Sequence, residues 1–276
     1  MLFFTSLLNQ TDQVRQTLFI NSTIYKMKQT FTSLTAALFM LIAFNARAQD
    51  TNSDDDKPAK LRSYISIFGG QSRALGDFKS TDYSNIKSGF AKNGFVFGID
   101  GAVYIYKHFA IGYTLSKQDQ GNLTYDDDVK LSQGYTDDFK ADGSTVTADK
   151  RYRSYNFLLG PQYTFVYHRF AFDLRASAGA IKSTATPSIA VDITGVKAQT
   201  TTFTQQSSKG TAFAYGGSAA IKFNMGVGWG LMLKGNYINS KGPDITTIGR
   251  TSNLGRIVTK QPITEGQLVL GLTREF

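Results

Sequence analysis

The chain of 276 residues contains no cysteine. That excludes disulfides, thiolate nucleophiles, cysteine-ligated zinc and a lipidated N-terminal cysteine. Only two histidines, His108 and His168, are present, and tryptophan occurs once. Imidazole chemistry therefore has two positions to draw on. No Lys/Arg block and no basic–aromatic interleaving occurs, so no nucleic-acid partner is expected. Prolines number five, and no window carries a sustained helical period of 3.6 residues. The abundance lies elsewhere: 26 glycines, 21 phenylalanines and 14 tyrosines favour strands and turns over helices.

The N-terminal region reads as processing. Lys26 and Lys28 flank Met27, an apolar run extends from Leu34 to Phe44, and Ala46-Arg47-Ala48 offers a small-residue cleavage site before Gln49. Basic, then apolar, then small is the order of a secretory signal peptide. The apolar run falls short of the roughly 20 residues that a membrane-crossing helix needs. The expected organisation is an upstream extension over 1–26, a signal peptide over 27–48, a disordered periplasmic leader over 49–60 and a β-barrel over 61–276. Cleavage would remove Arg15, Lys26, Lys28, Arg47 and Asp12, lowering the formal charge of +9 by three. The remaining excess is scattered.

From Leu61 onward, apolar and polar residues alternate in eight places. Strands are expected near 61–70, 94–106, 109–118, 152–166, 169–182, 211–225, 228–240 and 263–276. Each is long enough to cross a bilayer as a tilted strand of about 9–11 residues. Short turns are expected at Lys107-His108, Tyr167-His168 and Gly226-Val227. The intervening connections, 71–93, 119–151, 183–210 and 241–262, are long. Short turns at one end and long loops at the other form the bacterial outer-membrane pattern, with both ends of the barrel chain on the short-turn, periplasmic side. In the last segment Leu268, Leu270, Leu272 and Phe276 share one face, and Glu265, Gln267, Val269, Thr273 and Glu275 share the other. Parity gives outward faces such as Phe95-Phe97-Ile99 and Tyr155-Phe157-Leu159. Aromatics gather near strand ends, as interfacial girdles do.

The runs Gly69-Gly70, Leu75-Gly76-Asp77-Phe78, Ser88-Gly89-Phe90-Ala91 and Gly94-Phe95-Val96-Phe97-Gly98 resemble the start of the outer membrane protein beta-barrel domain family. That family is akin to the small porin-like OmpA/OmpX-type barrels. The resemblance covers about 61–276 and implies an all-β, eight-stranded antiparallel transmembrane barrel of up-and-down meander topology in the outer membrane. It also implies that Phe276 is the assembly signal read by the barrel-assembly machinery. The chain departs from the full OmpA architecture in that nothing follows Phe276, so no peptidoglycan-binding domain is expected. Outer-membrane lipid and lipopolysaccharide are the implied surroundings.

Inward parity places Arg62, Asp100, Asp173, Arg175, Lys222, Lys234, Glu265 and Glu275 inside the barrel or at its rims, mixed with Asn156, Gln162 and Thr164. Buried charges persist when paired and hydrogen-bonded. An eight-stranded barrel is just wide enough for side chains to fill, so a neutral lumen charge network acting as a plug is expected. The alternative is a narrow channel gated by rearranged ion pairs.

No nucleophile–base pair emerges. Both histidines fall in short turns, away from the long loops, so no catalytic residue is assigned. Loop 119–151 is rich in Asp, and carboxylates are oxygen ligands that calcium favours. Its nearest approach to an EF-hand run, Asp138-Phe139-Lys140-Ala141-Asp142-Gly143, puts Lys140 at a ligand position. The loop is expected to be solvated, with no metal site and no cofactor. Loop 241–262 is basic, suited to lipopolysaccharide phosphates or to pairing with the acidic loop across the mouth. In loop 183–210, Ile189, Val191 and Ile193 alternate as though the sixth strand's partner continued above the membrane. The expected role is structural and surface-interacting through the long loops, without enzymatic activity. The alternative is a small passive porin-like channel for ions or small solutes.

Overall fold

The computed structural model describes residues 61–82, 85, 87–196, 199–249 and 256–276. The expected extension, signal peptide and leader at 1–26, 27–48 and 49–60 lie outside the described residues. Eight long strands form the barrel: β1 (Tyr64–Ala74), β2 (Gly94–Tyr106), β3 (Phe109–Gln120), β5 (Arg153–Tyr167), β6 (Phe170–Ala185), β9 (Gly210–Gly226), β10 (Trp229–Ser240) and β13 (Ile263–Glu275). Each pairs antiparallel with its neighbours along the chain. The first and last strands close the circle, from Tyr64↔Glu275 to Ala74↔Glu265. The expected all-β, eight-stranded meander is the fold.

Alternation fixes the register. Strand side chains have a period of two, so a one-residue slip would turn every apolar residue to the wrong face. In β13, Leu268, Leu270 and Leu272 are exposed on the outer wall while Gln267, Val269 and Thr273 are buried inside. The same rule sets β2, where Phe95, Phe97 and Ile99 face out and Asp100 faces in. Tyr104, near the short-turn rim, points inward and bonds the Thr164 hydroxyl at 2.7 Å.

The three short turns are Lys107-His108, His168-Arg169 and Val227-Gly228. The second and third sit one residue later than the alternation predicts. Their first residues take φ of 51° and 53°, and Lys107 takes 38°. Two-residue hairpins that match strand twist need this left-handed conformation. The first strand likewise begins later and runs further than 61–70, because residues up to Ala74 continue the ladder with β13.

The long-loop end holds a folded cap. It contains a one-turn helix α1 (Gly76–Lys79), a helix α2 (Tyr125–Phe139) and the strands β4 (Gly143–Asp149), β7 (Ser188–Val196), β8 (Gln199–Gln205), β11 (Asp244–Gly249) and β12 (Arg256–Lys260). These strands form a second sheet ordered β12-β11-β8-β7-β4. The expectation of no helix and a solvated loop over 119–151 is thus corrected. Helix α2 starts because the Thr124 hydroxyl caps the Asp127 N–H while the Asp127 carboxylate accepts from the Thr124 N–H, a capping box. Asp126, Asp127 and Asp128 in its first turn also suit the positive end of the helix dipole. Segment 189–193 does not extend the sixth barrel strand's pairing. It pairs with β4 and β8 instead, through Val146↔Val191↔Phe203. Ile189, Val191 and Ile193 therefore face Leu131 of α2 and Phe90 in a small buried core.

Candidate functional site

The barrel interior is filled by side chains, and six of the eight sequence-predicted charges fall in three places inside it. The first is centred on Asp100 of β2, which is fully buried. Arg175 of β6 reaches across to it with both terminal nitrogens, Nη1 to Oδ1 at 2.9 Å and Nη2 to Oδ2 at 3.1 Å. This bidentate geometry suits the planar guanidinium. Lys234 of β10 donates to the same carboxylate at 2.5 Å and to the Thr114 hydroxyl at 3.2 Å. Arg175 also donates to Gln162 Oε1 from Nε and Nη2, at 3.0 and 2.6 Å, and to the Gly101 carbonyl at 3.1 Å.

A second cluster adjoins it. Lys222 lies 3.1 Å from Asp173, and its ammonium sits 3.6 Å from the centre of the Tyr64 ring. Asp173 further accepts from the Tyr64 hydroxyl at 2.9 Å and the Thr164 hydroxyl at 2.7 Å. Every charged group here thus has an opposite charge and hydrogen-bond partners, the condition under which buried ions are tolerated.

Glu265 stands apart. Fully buried, it accepts from Gln118, from Ser72 at 3.3 Å and from Gln267 at 3.1 Å. No cation approaches it within ion-pair distance among the described residues. Two predicted members lie at the periphery. Glu275 is half-buried at the short-turn rim, and Arg62, expected inside or at a rim, is exposed ahead of β1. Phe276 is exposed at that same rim, its backbone N–H donating to the Ser63 carbonyl at 2.9 Å.

Two functional positions escaped the sequence reading. Tyr64 bonds Asp173 and packs under Lys222, and it shares the parity of Arg62, which was the available signal. Gly112 has no such signal. A Cβ there would lie 2.1 Å from Arg175 Nε, so glycine leaves the room that the guanidinium fills.

Apolar groups complete the filling. Phe68, Val96, Met232 and Val269 meet within the barrel. At the long-loop end, Phe78 of α1 and Tyr152 pack edge-to-face at 5.0 Å and join inward-facing Ala74, Leu158, Ile181, Ala214, Ile238 and Ile263. Phe78 is 1% exposed, and this cluster corks the mouth.

At the long-loop end, ion pairs tie strand ends and loops together locally. Lys92 holds Asp127 at 2.6 Å, Arg151 and Arg153 hold Asp119 at 2.5 and 3.3 Å, and Lys260 holds Asp244 at 3.0 Å. The last pair lies within the β11–β12 hairpin, so Lys260 of the basic loop pairs inside its own hairpin. Burial works to raise the Asp127 pKa, but hydrogen bonds from Lys92 and Thr124 hold it below the ordinary carboxylate range. Burial and the neighbouring Asp127 charge push Asp128 up. His108 sits in its short turn with Nδ1 2.9 Å from the Thr164 carbonyl, and His168 packs its ring against Tyr167. Among the described residues no group of three His, Cys, Asp or Glu side chains is placed to hold a metal ion.

No family model matches the chain, and no curated protein matches it. Solved structures similar to it include Neisserial surface protein A, 10% identical over 80% of this chain and 100% of that one, with a TM-score of 0.42. Ail, the attachment invasion locus protein of Yersinia pestis, is 15% identical over 79% of this chain and 100% of that one, with a TM-score of 0.39. The outer membrane protease OmpT from Escherichia coli is 11% identical over 82% of this chain and 99% of that one, with a TM-score of 0.34. At these identities the likeness concerns fold alone and transfers no activity, ligand or partner. In its own strand order and closure, the chain is a closed eight-stranded antiparallel β-barrel.

Proposed function

We propose that this protein is an integral outer-membrane barrel, exported by a cleaved signal peptide, with a non-enzymatic role. The barrel anchors and shapes the envelope, and the cap presents the interacting surface. The observation that carries this reading is the filled interior beneath a cap that has its own buried core. A conduit would need an aqueous path, whereas ion pairs, amides and an apolar cork occupy the lumen.

The outer wall supports the membrane setting. Phe95, Phe213 and Leu268 are 68%, 67% and 61% exposed, and each of the eight strands places large apolar residues on its outward face. Soluble monomers rarely carry contiguous apolar patches beyond a few hundred Å², and a band encircling a closed barrel matches a lipid-facing surface. Closure leaves no unpaired strand edge, as hydrocarbon requires. Outer-membrane lipid and lipopolysaccharide then contact the wall. The exposed Phe276 ring, at the end of the closing strand, is the assembly signal offered to the barrel-assembly machinery.

Planar-bilayer conductance tests the reading, with heat-modifiable gel mobility as the folding control. A folded protein that stays silent is the expected result. Discrete openings that change in Arg175→Ala or Lys222→Ala would replace it with the porin-like channel.

A further inference from the structure

One row of the outer wall breaks the apolar pattern. Cross-strand register sets Phe97, Lys117, Tyr155, Lys182 and Thr211 side by side on β2, β3, β5, β6 and β9. All lie in the long-loop half of their strands. Adjacent strands are about 4.8 Å apart, so the two lysines stand on backbones roughly 10 Å apart with the tyrosine between them. Lys117 is held between rings, its ammonium 5.9 Å from the centre of Phe97 and 5.7 Å from that of Tyr155.

Neither ammonium has a carboxylate partner among the described residues. The one acid nearby on the same face of β3, Asp119, is already engaged by Arg151 and Arg153. Below this row the wall forms a groove of about 730 Å³ with an apolar lining. In the next row the small Ala180 lies between Phe157 and Phe213, leaving a trough between two aromatic walls.

We propose that this groove docks a phosphate-bearing lipid of the leaflet on the long-loop side, with Lys117 and Lys182 clasping the phosphate and an acyl chain lying in the trough. The site rests on the membrane reading above. Two lysines beside a bilayer's hydrocarbon edge are stable when their stems lie on apolar surface and their heads reach the headgroup layer. There a phosphate supplies the missing countercharge, and Tyr155, between them in the row, carries a hydroxyl able to donate as well. Charge and shape thus specify one occupant: an anionic head at the rim above an apolar tail along the wall.

The test uses the purified protein in phosphatidylcholine nanodiscs, titrated with monophosphorylated lipid A and read by native mass spectrometry. Each lysine near an anionic membrane surface contributes enough that the K117Q/K182Q variant should bind about thirty-fold more weakly. K117R/K182R should bind like the parent. R274Q removes a charge at the opposite rim, where Arg274 packs over Trp229, and should also leave binding intact. Undiminished binding by K117Q/K182Q overturns the site, and so does displacement of the lipid by millimolar inorganic phosphate. Failure of the protein to enter nanodiscs sinks the membrane reading and this site with it. Entry followed by charge-independent lipid binding sinks the site alone.

Discussion

Asp100 is the carboxylate on which two interior cations converge. It meets Arg175 and Lys234 at once and is fully buried. Removing one partner of a buried ion pair strands the other charge and costs about 3–5 kcal/mol. Asp100→Ala should therefore lower the thermal midpoint of the heat-modifiable transition by far more than Glu275→Ala. The latter removes a half-buried rim charge, for which about 0–1 kcal/mol is expected. Equal shifts for the two variants would mean that the network does not stabilise the barrel. Gly112→Ala should act in the same direction as Asp100→Ala without touching any charge, since its Cβ would occupy the space of Arg175 Nε. Denaturation of that variant, with its unchanged charge count, would show whether fit matters alongside pairing. At this scale the sequence was partly legible. Parity assigns Asp100, Asp173, Arg175, Lys222 and Lys234 to one face because strand side chains alternate. Parity cannot say that Arg175 crosses to Asp100 rather than to its nearer neighbour Asp173, because that depends on barrel radius and stagger.

Among the elements, the barrel strands were legible and the cap was not, for a physical reason. A wall strand must be apolar on one face throughout, so its period survives in the sequence. Helix α2 buries only Leu131 fully, and tertiary packing, not a broad apolar stripe, holds it. The surviving local signal was the Thr124–Asp127 capping box, hidden within what looked like an acidic loop. This cap has a testable pH response. The Asp127 carboxyl is held below its unfolded range, about 3.9 for Asp. Its contribution is therefore fully present above that value and disappears as pH falls through the lower folded value. Asp128, pushed up, acts with the opposite sign and gains on acidification. In D128N the Asp127 effect stands alone. Hydrogen-exchange protection of α2 amides should then stay flat from neutral pH to about 5 and fall below about 4. Thr124→Ala should reduce that protection by about 1 kcal/mol at neutral pH. A protection profile in D128N that rises on acidification would show that the capping box is not what holds the helix start.

At the scale of the molecule, the barrel and the cap rest on different physics, and they should fail separately. The barrel is a continuous ladder closed on itself, with its apolar wall outward and its ionic network inward. In the cap, the five-stranded sheet and helix α2 meet at a core of Phe90, Leu131, Ile189, Val191 and Ile193. So small a core leaves little margin. Leu131→Ala, which removes the helix's one fully buried side chain, costs about 2–5 kcal/mol. That loss falls on the cap, because Leu131 touches none of the lumen clusters. Trypsin has Lys130, Lys140 and Lys150 as targets in or beside α2 and β4. In Leu131→Ala these sites should be cut at least tenfold faster than in the parent, since proteolysis follows the population of the opened state. The cut protein should still show heat-modifiable mobility, because the strand ladder does not pass through the helix. Cleavage at the parent's rate would mean that α2 is held by contacts other than its core. Loss of heat-modifiable mobility together with the cap would mean that cap and barrel fold as one unit, and the surface-presenting role would then have to be reconsidered as part of the barrel's own stability.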